Sequence, residues 1–514
     1  MENKTLTKNA GKTAFGTTIS RMLGYIRDML IANAFGAGMF ADAFYAAFRI
    51  PNLFRRMLGE GSFSAAFIPV FSQYLHTKEK SEVQKMLSAV FTALFLLLIV
   101  IVILGMFFSP QLVKIIAWGF TSDPEKMALT IELTRLMFPF IFFICLAAFL
   151  LAVLNTLYSF FLPALAPASL SFSEIFYVLI FVPLIVYPQD QIKGLAIAVI
   201  AGGALHFLIQ LPNLKKLGYS LKFKINLKHP AIKKIVFLMI PSLIGLSVDQ
   251  INAFVDNICA SFLDSGSITA MYYSNRVMQL PLAIFGLALA SVSLPAMSKA
   301  AALKDMDSIK NSLDYSIRFS LFTLIPAAIG LMLIGFPIIR VLFERGRFDL
   351  TASLMTNSAL FYYSLGLPAY AAAKLYANVF YSFQDTKTPV KTAAAAMFVH
   401  VILCVLLMYR MGVGGLALAT AASSYLNLFL LAYYLRKKIG RLGVKNILVS
   451  GGKTLISSIL AGASAYFVSV NITSNIYIAV FLAIMSAIIV FLIMSKLLNS
   501  QELNACIAII KRRR

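Results

Sequence analysis

Residues Phe35 to Arg49 read FGAGMFADAFYAAFR, and residues Phe262 to Arg276 read FLDSGSITAMYYSNR. Laid over one another without gaps, the two stretches put Tyr45 on Tyr272 and Arg49 on Arg276. The spacing returns on either side. Ile68-Pro69-Val-Phe-Ser72 pairs with Leu294-Pro295-Ala-Met-Ser298, and Asn155-Thr-Leu-Tyr158-Ser159-Phe160 pairs with Asn378-Val-Phe-Tyr381-Ser382-Phe383. Matches that keep their order at an offset of 223 to 228 residues mark an internal duplication.

Composition says what is duplicated. Of 514 residues 60% are hydrophobic and only 13% charged, about half the charged share of a soluble domain. Apolar residues run from about residue 13 to 498 with no polar linker long enough to part soluble domains, so the chain reads as one membrane-embedded, all-α body. A spanning helix needs about 20 mostly apolar residues. On that template there are about fourteen, near 13–37, 40–74, 86–108, 127–154, 159–187, 193–212, 235–263, 267–298, 315–343, 352–382, 389–410, 413–435, 454–471 and 474–498. Pro51, Gly59 and Gly61 are expected to break the second.

The net charge of +24 would suggest nucleic acid in a soluble chain; here placement decides otherwise. With the N-terminus inside, the inner segments hold 29 Lys and Arg, among them seven lysines from Lys215 to Lys234. The outer loops hold six: Lys114, Lys126, Lys193, Arg345, Arg347 and Arg410. That asymmetry is the signature of cytoplasmic loops, and it puts both termini in the cytoplasm and leaves no nucleic-acid partner. Four isolated cysteines and four scattered histidines offer no disulfide framework or metal motif. No phosphate-cradling glycine loop or nucleophile–base pair stands out, which argues against ATP hydrolysis by this chain.

The offset covers six helices, an even number, so the two copies share one orientation. The expected architecture is two six-helix lobes in parallel repeat around a central cavity, residues 1–215 and 235–436, followed by two additional helices and a basic tail over 450–514. Ten basic residues remain inside or at the edges of spans, where a charge costs about 2.5–3.5 kcal/mol at the bilayer centre and must face a wet interior. They are densest from Ser20 to Glu60: Arg21, Arg27, Arg49, Arg55 and Arg56, against Asp28, Asp42 and Glu60. Arg21 and Asp28, seven residues apart, share a helix face. Five cations over three carboxylates, with Arg276 added from the second copy, call for an anion, and arginine forks suit a phosphate or pyrophosphate. Glu132, Glu174, Asp249 and Asp256 are embedded carboxylates, each a candidate for cation coupling or for pairing.

Ser20-Arg21-Met-Leu-Gly24-Tyr-Ile-Arg27-Asp28, Phe35-Gly-Ala-Gly38, Ala41-Asp42-Ala-Phe44, Phe48-Arg49-Ile-Pro51-Asn52-Leu-Phe-Arg55-Arg56, Glu60-Gly61 and Ala66-Phe67-Ile-Pro69-Val resemble the MurJ (MviN) family of lipid II flippases. Tyr381-Ser382, Asp385 and Lys387-Thr388-Pro389-Val390-Lys391 fit the same family. It belongs to the multidrug/oligosaccharidyl-lipid/polysaccharide exporter superfamily, whose two-lobe build agrees with the duplication. The resemblance implies flipping of undecaprenyl-pyrophosphate-linked disaccharide-pentapeptide across the bacterial cytoplasmic (inner) membrane for peptidoglycan synthesis and cell-wall biogenesis. By its motif Arg21, Arg27, Arg55 and Arg276 look like cavity arginines, with Arg27 and Arg276 the expected pyrophosphate contacts. Asp28, Asp42 and Glu60 look like their acidic partners. Asn275 departs from the Asp that many members carry there. Some members bind sodium in the second lobe; carried over, that site would use Asp249 and Asp385. No cofactor is expected beyond Na+ or the membrane potential as a coupling force. The alternative is a cation-coupled exporter of another lipid-linked oligosaccharide or of drugs; a cavity with excess base suits cationic drugs poorly.

Overall fold

Among the described residues the apolar stretches fall on helix in the computed structural model, and what divides the helices is proline, glycine and short polar caps. The structure describes residues 2–56 and 62–512, and their side chains apart from 2–12, 14, 241–249 and 509–512. Asp123, Asp305 and Asp349 each accept a backbone N–H three residues on, and Asn475 accepts two, starting helices at those points. Pro139, Pro188 and Pro230 open others, where a missing N–H costs nothing.

The helices are α1 (Glu2–Phe35), α2 (Met39–Phe54), α3 (Phe63–Thr77), α4 (Lys80–Phe107), α5 (Ser109–Ile116), α6 (Pro124–Met137), α7 (Pro139–Thr156), α8 (Phe161–Leu165), α9 (Ala168–Ile180), α10 (Pro188–Leu208), α11 (Leu211–Lys216) and α12 (Pro230–Ser261). Then come α13 (Ser267–Pro281), α14 (Ala288–Ala302), α15 (Met306–Phe343), α16 (Leu350–Leu365), α17 (Leu367–Ser382), α18 (Lys387–Ile439), α19 (Val444–Asn471), α20 (Ile476–Leu497) and α21 (Gln501–Arg512).

The duplication is visible in this order. Met39 and Ser267, Lys80 and Met306, Pro124 and Leu350, and Pro139 and Leu367 each open corresponding helices at offsets of 226 or 228 residues. α7 and α17 also end alike. Tyr158 and Gln384 take the left-handed conformation (φ 59° each), and the next N–H returns five residues, Ser159 to Leu154 and Asp385 to Phe380, a Schellman ending. The π-helical turn 282–287 carries α13 into α14, and a π turn holding Arg55 and Arg56 follows α2. Pro51 lies inside α2 and does not end it, contrary to expectation; the backbone loses one hydrogen bond there and continues to Phe54. Gly59 and Gly61 lie outside the described residues.

Gly412 (φ 55°, ψ −135°) divides α18 where the sequence separates two spans, since that conformation is open only to glycine. α15 kinks at Ile334, one turn before Pro337. Among the described residues nine helical segments are long and apolar enough to cross a membrane, with α18 counted once. Leu97, Val100, Ile103 and Phe107 on α4 and Phe481, Ile489 and Ile493 on α20 are half or more exposed, as a surface in lipid requires.

The chain forms two compact units, residues 1–268 and 269–514. In the first, α9 packs on α1 and α10, α7 on α10 and α4, α2 on α6, and α12 on α3. Phe63, Phe67 and Phe71 of α3 stack along their own helix, and Phe149 of α7 closes on Phe63 and Phe67. In the second, α15 packs on α16 and α19, α18 on α16 and α17, and α20 on α19. α12, which opens the second sequence copy, belongs by packing to the first unit. Asn257 Nδ2 donates to the Ile116 carbonyl at 2.8 Å, and Ser261 Oγ accepts from the Gly119 N–H at 2.9 Å.

Candidate functional site

The charged residues of the first unit form two polar groups inside the apolar bundle. On α1, Asp28 is fully buried, and the Arg27 guanidinium folds back on it, with Nη2 at 2.7 Å and Nε at 3.0 Å from the same Oδ1. Arg27 Nη1 lies 3.6 Å from Glu174 Oε1 on α9, a charge contact longer than a good hydrogen bond. The Arg27 side chain is 12% exposed and Glu174 3%. One guanidinium thus stands against two carboxylates, and Glu174, a lone embedded acid in the sequence, gains a named partner.

The second group is built around Asp42, 1% exposed in the first turn of α2. Its Oδ2 accepts from Lys126 Nζ at 2.9 Å and from the Gly266 N–H at 2.7 Å. Lys126 is itself buried and lies 4.3 Å from the centre of the Phe120 ring. Lys126, which the charge pattern assigns to an outer loop, therefore supplies Asp42 with a buried counter-charge. The physical cause is local: Asp123 caps α6, so Lys126 leaves the first turn of that helix toward α2, on which it packs. Gly266 (φ 97°) suits the tight loop after α12, because an added Cβ would come 2.7 Å from the Ala37 carbonyl oxygen.

The other residues of the cluster divide by burial. Arg49 is half-buried on α2 and its Nη2 donates to the Ala253 carbonyl of α12. Arg55, half-buried, donates from Nε to Asn52 Oδ1 at 3.0 Å. Arg21 and Arg56 are exposed. Arg21 and Asp28 share a helix face by register but not an environment, since only the Asp28 level is enclosed by packing. Glu60 lies outside the described residues. Arg276, half-buried on α13, belongs to the second unit, and Asn275 beside it accepts from Gln279 Nε2 at 2.6 Å.

Of the other embedded carboxylates, Glu132 pairs with Lys193 at 2.8 Å, with the acid 46% exposed; that is a surface pair. Asp256 is half-buried on α12, and the side chain of Asp249 lies outside the described residues. Asp385 sits in the turn between α17 and α18. It accepts from Lys438 Nζ at 2.9 Å, from the Thr388 N–H at 3.1 Å and from Thr388 Oγ1 at 2.9 Å. Burial pushes this carboxyl up, but Lys438 and the two Thr388 donors outweigh it and hold it at about 2. Lys438 already provides the positive charge that a sodium ion would, so Asp385 in this arrangement does not fit a sodium ligand.

His206 is one of the four scattered histidines that the sequence marks as no metal motif. It is 6% exposed on α10, and among the described residues neither ring nitrogen has a hydrogen-bond partner. Nothing local distinguishes it from any histidine in an apolar run.

A repeated order of apolar helices, with a lipid-facing exterior and arginines and carboxylates held in the interior, defines a polytopic membrane transporter. A family model described as "Lipid II flippase MurJ" matches residues 31–488, and the chain belongs to that family. It is 36% identical over 468 residues to the probable lipid II flippase MurJ of Vibrio cholerae, covering 87% of this chain and 89% of that protein. It is also 36% identical over 426 residues to the lipid II flippase MurJ of Burkholderia cenocepacia, covering 82% of each. A solved structure titled as lipid II flippase MurJ in an inward closed conformation superposes with a TM-score of 0.81 at 29% identity, covering 94% of this chain and 98% of that one. An inward-facing multidrug resistance MATE family transporter of the MOP superfamily shares the fold, with a TM-score of 0.69 at 14% identity over 82% of this chain and 95% of that one.

Proposed function

We propose that this chain moves lipid II, the undecaprenyl-pyrophosphate-linked disaccharide-pentapeptide, from the inner to the outer leaflet of the bacterial inner membrane, with both termini in the cytoplasm. Family membership over residues 31–488 supports the substrate class. The observation that carries the mechanism is Arg27, a permanently charged fork held 12% exposed inside a helical body between Asp28 and Glu174. Two carboxylates hold the guanidinium in place while no substrate is present. A pyrophosphate carries more charge than either, so it competes for the same donors and displaces them.

In this reading the headgroup enters a cavity open to the cytoplasm, its pyrophosphate engages Arg27 and Arg276, and the two sequence repeats rock about it while the polyprenyl tail stays in lipid. Arg21, Arg49, Arg55 and Arg56 set the positive potential that draws the anion in. Without the anion, like charges approach across a low-dielectric space and oppose closure. A membrane potential, worth about 2.3 kcal/mol per elementary charge per 100 mV, biases the return of the empty, positively charged cavity.

The test is depletion of the protein in its native cell, scored by a probe for lipid II on the outer face, with wild type and Arg27→Ala as rescue constructs. Wild type restores outer-face lipid II; Arg27→Ala, at equal membrane level, does not. Outer-face lipid II that persists through depletion overturns the substrate and leaves a different lipid-linked oligosaccharide or drug as cargo.

A further inference from the structure

The two carboxylates that share Arg27 meet it at different edges. Nε and Nη2 form the side edge of the guanidinium, and both donate to Asp28 Oδ1, at 3.0 and 2.7 Å. Nη1, at the end edge, has Glu174 Oε1 3.6 Å away, beyond a good hydrogen bond. Asp28 is the next residue on α1 and travels with the arginine, whereas Glu174 belongs to α9. An end edge presents two parallel N–H groups, the geometry that takes two oxygens of a phosphate. Glu174 therefore stands where an incoming anion docks, and Asp28 does not.

α9 is fastened, so Glu174 has little room to follow the arginine or to leave it. Three side chains on the face of α9 toward α10 donate to backbone carbonyls there: Ser169 to Gly202 at 3.2 Å, Ser173 to Ala198 at 2.8 Å and Tyr177 to Gln191 at 2.7 Å. Their spacing of four residues keeps them on one face. Glu174, one residue past Ser173, turns about 100° from that face, toward α1. Gly202 lets the two helices approach closely, since an added Cβ would come 2.8 Å from Leu170 Cα. In this wall Glu174 is 2% exposed.

The charged groups around it are few. From Gly194 to Leu205 α10 has no ionisable side chain, and the turn 182–184 after α9 has none. On α9 itself Tyr177 is the neighbouring titratable group, with its hydroxyl donated to Gln191. α1 presents Arg27 and Asp28 at this level; Tyr25 is half-buried, and Arg21, about 10 Å nearer the start of the helix than Asp28, is exposed. Arg27 supplies the charge that balances Glu174. A buried carboxylate that loses its counter-charge is costly to keep ionised, and one that shares a guanidinium with a phosphate meets like charge as well. A proton on the carboxylate removes both costs.

We propose that Glu174 is an exchangeable counter-ion for the pyrophosphate of the transported lipid: it occupies the end edge of Arg27 in the unloaded protein, yields that edge to the pyrophosphate, and takes up a proton from solvent as it does so. Of the two carboxylates Glu174 is the one that yields first, while Asp28 stays on the side edge and keeps the guanidinium aimed. Loading is thereby linked to proton uptake, and the proton returns to solvent when the lipid leaves and Glu174 regains Arg27. The inference rests on the reading above that Arg27 contacts the pyrophosphate.

The test is isothermal titration of the full-length protein in detergent with lipid II, in two buffers of equal pH and different ionisation heat, which counts the protons taken up per lipid bound. The pyrophosphate's own protons cancel in the difference between wild type and Glu174→Gln. Wild type takes up about one proton more than Glu174→Gln. Glu174→Gln binds lipid II at least about tenfold more tightly, because the competing carboxylate is gone. That advantage grows as pH rises, by up to about tenfold per pH unit. Glu174→Gln leaves Arg27 paired with Asp28, so its melting temperature stays at the wild-type value. Glu174→Asp, a second variant, keeps the acid and takes up the proton. Equal proton counts in wild type and Glu174→Gln, weaker binding by Glu174→Gln, or a count in Glu174→Asp that matches the glutamine variant each overturn the proposal. Arg27→Ala separates this exchange from the contact it depends on. Lipid II bound by that variant as tightly as by wild type overturns the pyrophosphate contact itself, whereas loss of binding there, with equal counts in wild type and Glu174→Gln, overturns only the exchange.

Discussion

Lys126 Nζ lies 2.9 Å from Asp42 Oδ2, an ion pair between residues 84 apart in sequence with both side chains almost wholly buried. Removing one partner leaves an uncompensated charge in an apolar bundle, at a cost of about 3–5 kcal/mol. Asp42→Ala and Lys126→Ala should each lower the melting temperature of the purified protein sharply. The double replacement Asp42→Leu/Lys126→Met removes both charges and should recover much of the loss. A double variant no more stable than either single one would show that the pair does more than neutralise itself, for instance through the Gly266 N–H that Asp42 also accepts.

Arg27 separates electrostatics from fork geometry. Arg27→Lys keeps the charge but cannot place two donors on one Asp28 oxygen as Nε and Nη2 do. Flipping should fall at least about tenfold in Arg27→Lys and vanish in Arg27→Ala, with both proteins present in the membrane at wild-type level. Wild-type flipping by the lysine variant would reduce the role of Arg27 to that of a point charge.

Gly119 marks where the C-terminal end of α12 meets the turn after α5. An added Cβ would lie 2.3 Å from the Ser261 carbonyl oxygen, closer than side chains come, and the obstacle is backbone. Gly119→Ala must push α12 away and weaken the Gly119 N–H to Ser261 Oγ bond. Overpacking of this kind costs about 1–3 kcal/mol, readable as a lower melting temperature, whereas Ser261→Ala should cost less because it deletes one hydrogen bond without displacing the helix.

Much of this architecture is legible in the sequence because membrane burial imposes a coarse, repeated signal. Runs of apolar residues mark the helices, and the ordered matches from Phe35 and Phe262 onward mark the repeat that the helix starts reproduce. The cluster from Arg21 to Arg56 stands out because charge is rare there. Partners are another matter. Nothing in Pro124-Glu125-Lys126-Met127 says that its lysine meets Asp42, and the positive-inside count naturally assigned it to a loop. Glu174 likewise needs the packing of α9 on α1 before Arg27 becomes its neighbour. The stretch 219–228 is legible as a basic loop, but its course along α4 depends on Gln84, Thr92 and Phe95, more than a hundred residues away.

Asp385 gives a pH dependence with a definite sign. Its folded pKa, about 2, lies below the usual carboxylate value of about 3.9. A depressed carboxylate contributes stability that is fully present above the unfolded value and is lost as pH falls through the folded one. The Lys438 pair should therefore hold the turn between α17 and α18 unchanged from pH 7 to about 4 and release it between about 4 and 2. Thermal melts of wild type against Asp385→Asn should differ by a constant amount above pH 4 and converge near pH 2. A difference that persists at pH 2 would place the stabilising role in Thr388 hydrogen bonds that asparagine fails to reproduce, and not in the charge.

The cytoplasmic end proposed for the second unit is tied by one arginine. Arg318 on α15 pairs with Asp314 at 3.0 Å, donates to Gln501 Oε1 at 2.6 Å and stands 3.6 Å from Glu502. Glu502, with its side chain 4% exposed, also accepts from Ser450 of α19 at 2.8 Å and from Ser500 at 2.9 Å. α15, α19 and the start of α21 therefore meet on a single buried carboxylate. Glu502→Ala strips acceptors from two serines and a counter-charge from Arg318, at about 1–3 kcal/mol for the lost buried bonds. Since Glu502 lies in the first turn of α21, that loss should appear locally, as amide hydrogen exchange in residues 501–508 faster by tenfold or more, while exchange in the centre of α15 stays slow. Arg318→Ala should reproduce the effect only in part, because the serine bonds to Glu502 survive; equal acceleration in both variants would mean that the ion pair alone fastens the helix, and no acceleration in either would mean that Leu503, buried beside Glu502, is the true anchor.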